Sequence, residues 1–109
     1  MNCDDHTKNI SFLMDPQGDW HLAPAYDVTY AYHPESLWLR QHQMSINGKR
    51  TGITRDDLLT VAKAMNIKKA EAIIDEVVAG VKKWKRCAKQ AEVDVKQVEI
   101  IGKMHLTRI

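Results

Sequence analysis

The chain has 109 residues, of which 44% are hydrophobic and 28% charged, and a formal net charge of +2. That length makes one domain with a modest core, burying roughly two-thirds of the surface that the unfolded form exposes. No apolar run is long enough to span a bilayer and no positively charged start leads into an apolar signal region, so no membrane role is expected and the cytoplasm is the expected compartment.

Cys3 and Cys87 lie far apart and show no pair spacing, which argues against a disulfide framework or a four-ligand zinc site and for two free thiols. The charge is divided unevenly. Residues 1–54 carry four Lys/Arg against six Asp/Glu, and residues 55–109 carry twelve against eight. A weakly acidic half is joined to a basic one, too mildly to imply direct binding of nucleic acid.

In chain order, the first signal is a polar, ionisable opening, "MNCDDHTKN". Ile10, Phe12 and Met14 then alternate as in a half-buried strand. Asp15-Pro16-Gln17-Gly18 has the residues of a type I turn, and Trp20-His21-Leu22 returns as a second strand closed by Pro24. This hairpin should bring Asp4 through Asn9 next to Ala25 through Asp27. From residue 28 to 53 the pattern is irregular, with one hairpin signal at Asn47-Gly48 and Tyr26, Tyr30 and Tyr32 read as packing residues.

The region 54–109 reads as helical. Thr54 with Asp57 resembles a capping box, opening a helix with Leu58, Val61, Ala62 and Met65 on one face and Asn66 at its end. A longer helix from about Lys68 should bury Ile73, Ile74, Val77, Val78, Val81 and Trp84, despite Gly80. Asp94, followed by Gln97, starts a third helix that should bury Val98, Ile101 and Met104. The fold class expected is therefore mainly α with a small β-hairpin. The run "KKWKRCAK" at 82–89 is read as a solvated helix end.

Asp4 and Asn9 stand five apart, the spacing of the Asp and Asn in a protein-kinase catalytic loop, although capping turns is the ordinary role of both residue types. The hairpin adds Asp27 from "APAYDV", so three oxygen-bearing side chains should converge, with Lys8 as a nearby positive charge. Hard oxygen ligands of this kind suit Mg2+. A softer site from Cys3, His6 and His21 lacks a fourth ligand. His33, His42 and His105 are scattered and read as surface or satisfied core groups.

Taken together, "DDHTKN", "SFLMD", "GDWHLAPAYDV" and "HQMSINGK" resemble the C-terminal part of HipA-like serine/threonine kinases, the toxins of bacterial toxin–antitoxin pairs. The resemblance covers nearly the whole chain. It implies the kinase-like helical C-lobe, truncated at the catalytic loop, with residues 1–27 as catalytic loop, hairpin and metal-binding loop, 28–53 as irregular loop and 54–109 as helical part. It implies ATP and Mg2+ as cofactors, Asp4 as catalytic base, Asn9 as metal ligand and Asp27 in place of the kinase Asp-Phe-Gly aspartate. Lys8 would support catalysis and, with Asn9 and Asp27, nucleotide binding. The implied partners are a protein substrate and a DNA-binding antitoxin. The five glycines include no G-x-G, so the phosphate-covering loop of a kinase is not among these residues. The expectation is a split gene product completed by an N-terminal lobe, or the remnant of a truncated gene, inactive alone. The competing expectation is a catalytically incompetent module that packs on a partner chain or antitoxin.

Overall fold

A computed structural model describes all residues from Met1 to Ile109. Its regular elements are a 3-10 turn (Thr7–Asn9), strands β1 (Phe12–Met14) and β2 (Trp20–Leu22), and helices α1 (Arg55–Ala64), α2 (Ala70–Val81), α3 (Trp84–Gln90) and α4 (Val95–Met104). The protein is thus mainly helical with one antiparallel hairpin. No helix is long and apolar enough to cross a membrane. The residues gather into two compact units, 2–45 and 46–109, the latter together with Met1.

In the first unit the hairpin pairs Phe12 with Leu22, Leu13 with His21 and Met14 with Trp20. The Gly18 N–H reaches the Asp15 carbonyl at 3.0 Å, and only Gly18 in the loop has positive φ, which is the type I turn expected. Asp15 locks that turn by accepting from the Gln17 and Asp19 N–H groups, each at 2.9 Å, while its other oxygen lies 3.0 Å from His21 Nε2. These bonds, the Asp19 N–H foremost, hold the Asp15 carboxyl below its ordinary range.

The strands are not half-buried. Phe12, Trp20 and Leu22 are 60%, 67% and 68% exposed. Alternation set the register, but a two-stranded ribbon has no facing layer of its own. Residue 10 is also not in the strand; Ile10 closes the 3-10 turn that sequence periodicity left unseen.

The second unit is organised by a buried carboxylate. Thr54 and Asp57 form the expected capping box, in which Asp57 Oδ2 accepts from Thr54 N–H at 2.9 Å and Thr54 Oγ1 at 2.8 Å. Asp57 is 3% exposed. It also accepts from Asn47 Nδ2 and Lys49 Nζ, each at 2.9 Å. Asn47 and Gly48, both at positive φ, make the tight turn between Ile46 and Lys49 that the Asn-Gly pair announces. One side chain therefore fastens a hairpin turn to a helix start. The Lys49 ammonium, then Asn47 and Thr54, hold the Asp57 carboxyl far below the usual range.

Helix ends follow local chemistry. After α1, Asn66 adopts φ 52°, its N–H bonds the Lys63 carbonyl at 3.2 Å, and Ile67 N–H bonds the Ala62 carbonyl at 2.8 Å, a Schellman closure. After α3 the same closure recurs with Glu92 at φ 54°. Asp94 caps α4 by accepting from the Lys96 and Gln97 N–H groups.

The expected long helix is two. α2 ends at Val81, and Lys83 N–H turns back to the Gly80 carbonyl at 3.1 Å before α3 starts at Trp84. Gly80 weakens the helix there, and Trp84 is engaged elsewhere: its indole donates to the Val98 carbonyl at 2.9 Å and lies against Gly102, where a Cβ would come within 3.3 Å. The run 82–89 accordingly starts at the C-cap of α2 and fills most of the short α3, with its five cations exposed.

The buried stripe is also narrower than its periodicity suggests. Val78 is 9% exposed but Val77 is 60%. Ile73, Met65 and Met104 are likewise exposed, leaving Ala62, Val78 and Ala88 as the closed part of the core in this unit. Periodicity marks an apolar face; it does not supply an element to cover the whole of it. Arg55 joins α1 to α2 through the Asp75 carboxylate.

Because Asp57 is held below its ordinary range when folded, its contribution is complete above the unfolded carboxylate value of about 4 and fades as pH falls through the folded value. Helical melting followed by circular dichroism should therefore show a midpoint that drops below about pH 4, and Asp57→Asn should lower the midpoint at neutral pH and flatten that acid decline. Glu92→Gly, relieving a left-handed L-residue, should raise stability by about 1 kcal/mol in urea titration. Asn66→Gly should gain less, because asparagine tolerates this region.

Candidate phosphoryl-transfer site

The segment from Asn2 to Asn9 is anchored at its start. Asn2 bridges to Ala31, Cys3 N–H donates to the Ala31 carbonyl at 2.7 Å, and Cys3 is completely buried. Burial, reinforced by the Asp5 carboxylate, raises the Cys3 thiol pKa and keeps it protonated. A buried neutral thiol suits neither a nucleophile nor a soft-metal ligand, and His21 is engaged with Asp15 instead. Cys3, His6 and His21 accordingly form no soft-metal site, in keeping with the missing fourth ligand.

Asp4 begins the candidate loop. Its N–H donates to Asn2 Oδ1 at 2.9 Å, a two-residue Asx turn, and its carboxylate is half-exposed, 3.9 Å from His6 Nε2. The chain then makes the 3-10 turn, in which Asn9 N–H bonds the His6 carbonyl at 3.0 Å. That turn brings Asn9 back, so its Nδ2 donates to the Asp4 carbonyl at 2.9 Å. Asp4 and Asn9 are therefore in direct contact. With its nitrogen committed, Asn9 leaves Oδ1 as a free acceptor.

Asp27 arrives from the far side of the hairpin in the left-handed region, φ 55°. Two hydrogen bonds tie its segment to the first. Asn2 Nδ2 donates to the Asp27 carbonyl at 2.8 Å, and the Tyr26 hydroxyl donates to the Lys8 carbonyl at 2.6 Å. Asp4–Asn9 and Tyr26–Asp27 are thus neighbours, as the hairpin geometry anticipates. The Asp27 carboxylate itself has no hydrogen-bond or ionic partner. The Lys8 side chain is exposed and pairs with neither Asp4 nor Asp5.

Asp5 points another way. Its carboxylate takes the Gln43 N–H at 2.6 Å and lies 2.8 Å from His42 Nδ1, pinning the irregular segment to the loop. His33 accepts from Glu35 N–H, and the His105 ring meets Trp84 edge-on. No group of three or more His, Cys, Asp or Glu side chains is placed to hold a metal ion. The free oxygens of Asn9 and Asp27 fit a hard cation such as Mg2+ by donor type.

Three contributors escaped the sequence reading: Asn2, Tyr26 as a hydrogen-bond donor, and the Asp5–His42 pair. The Asn2-x-Asp4 spacing is itself an Asx-turn signal. Tyr26 and His42 act across 18 and 37 residues, on partners that no local pattern marks.

Comparison with curated proteins and with solved structures gave no match. Comparison with protein families matched residues 1–85 to the HipA-like C-terminal domain, spanning the candidate site, α1, α2 and the first two residues of α3. The chain therefore belongs to the HipA-like C-terminal domain family.

Proposed function

We propose that this chain carries the phosphoryl-transfer residues of a HipA-like serine/threonine protein kinase, arranged as in a kinase C-lobe. One observation carries the reading: the Asp4–Asn9 loop and the Tyr26–Asp27 segment are hydrogen-bonded to each other, through Asn2 and through Tyr26. The reaction moves the γ-phosphoryl group of ATP to a serine or threonine hydroxyl of a protein. Asp4, half-exposed with the His6 ring 3.9 Å away, accepts the hydroxyl proton as the oxygen attacks phosphorus and the bridging bond to ADP breaks. Asn9 Oδ1 and the Asp27 carboxylate are the residues that would hold Mg2+, which supplies neutralisation of phosphate charge when bound. Lys8 adds positive charge beside the transferred group. A nucleotide-binding lobe, an antitoxin and a protein substrate are the partners this reading requires.

A second reading is favoured by the hairpin. Phe12, Met14, Trp20 and Leu22 share one face and are all more than half exposed, which suits a module that packs on a partner without turning over itself.

Phosphate transfer from labelled ATP, in an assembly supplied with the nucleotide-binding lobe, separates the two. Asp4→Asn should lower turnover by about two to four orders of magnitude. Equal phosphorylation by wild type and Asp4→Asn would remove Asp4 from the chemistry. Background transfer by both would leave the binding module.

A further inference from the structure

We infer that Asn2 is a positioning residue that sets the Asp4 loop and the Asp27 loop in register, so that Asn9 and Asp27 can share one divalent cation. This rests on the metal-holding role just proposed for those two residues.

The side chain of Asn2 uses both ends of one planar amide. Oδ1 accepts from Asp4 N–H at 2.9 Å, and Nδ2 donates to the Asp27 carbonyl at 2.8 Å. Asn9 in turn donates to the Asp4 carbonyl at 2.9 Å. Asn9 is therefore linked to Asp27 by three hydrogen bonds joined through the Asp4 backbone and the Asn2 amide. A planar amide has a fixed separation between its oxygen and nitrogen, so neither loop can slide without breaking a bond.

Asn2 is itself held. Its backbone pairs with Ala31, and the next residue, Cys3, is fully buried with its N–H on the Ala31 carbonyl. Asp27 needs such a hold, because its left-handed backbone is uncommon for a residue with a side chain and persists where surroundings fix it. Tyr26 secures the adjacent residue to Lys8 but leaves the Asp27 peptide itself to Asn2.

No isosteric substitute does both jobs. Aspartate keeps the acceptor for Asp4 N–H and loses the donor to Asp27; alanine loses both. The two variants therefore separate the two halves of the tie.

The probe is Mn2+ added to the 15N-labelled full chain, with paramagnetic broadening of backbone amides read residue by residue. In the wild type, Asn9 and Asp27 should broaden together, at one midpoint. Asn2→Ala should move that midpoint about three- to tenfold higher, the usual worth of one or two hydrogen bonds, and uncouple Asp27 from Asn9. Asn2→Asp should keep broadening at Asn9 while that at Asp27 weakens. Unchanged hairpin and helix resonances in the variants show that the fold persists, so a shift in midpoint then reports register. Identical midpoints in wild type and both variants overturn the role of Asn2 and leave the metal reading standing. Absence of selective broadening at Asn9 and Asp27 in the wild type overturns the metal reading, and the role of Asn2 with it.

Discussion

The tie between residues 2–9 and 26–31 is the constraint on which the candidate site depends. Closing a loop of this length costs conformational entropy, and a free carboxylate and a free amide oxygen gain nothing by being near each other. The cost is offset elsewhere: by the hairpin ladder, the Cys3–Ala31 bond, the Asn2–Asp27 bond and the Tyr26–Lys8 bond. All of these engage backbone groups. None of them uses the side-chain oxygens of Asp4, Asn9 or Asp27.

The helical unit obeys a different logic. Its closed apolar core is thin, and much of its definition comes from polar satisfaction at helix ends. Asp57 gathers Asn47, Lys49 and Thr54 around one buried carboxylate. Such a group would be costly if any donor were lost, since it is nearly inaccessible to water. Schellman closures at Asn66 and Glu92 and the Asp94 cap then fix where each helix stops and starts. The exposed faces of Val77, Ile73 and the hairpin are the counterpart of that economy of burial.

Local chemistry was legible in the sequence and long-range satisfaction was not. The Thr54/Asp57 box, the Asn47-Gly48 turn, the Asp15–Gly18 turn and the Asp94 cap each depend on residues within a few positions, and each forms as its residues dictate. Burial was misjudged at Val77, Phe12 and Met65, because an apolar period names a face without naming its cover. The break at 82–83 was missed because Trp84 is drawn to α4 by a carbonyl fourteen residues away. At the site, the meeting of the segment before the hairpin with the segment after it, seen in the Tyr26–Lys8 bond, could be derived from the hairpin alone. The residues that enforce it could not, since Asn2 and Tyr26 bind distant carbonyls that any residue might present.

Solution NMR of the full chain tests most directly whether the two loops are held side by side. Nuclear Overhauser effects should connect the Asn2 side-chain amide protons to Asp27 and the Tyr26 ring to Lys8, alongside the cross-strand effects between Leu13 and His21. A spectrum with the Leu13–His21 effects but neither of the others would show a formed hairpin whose flanks are apart, and would contradict the account.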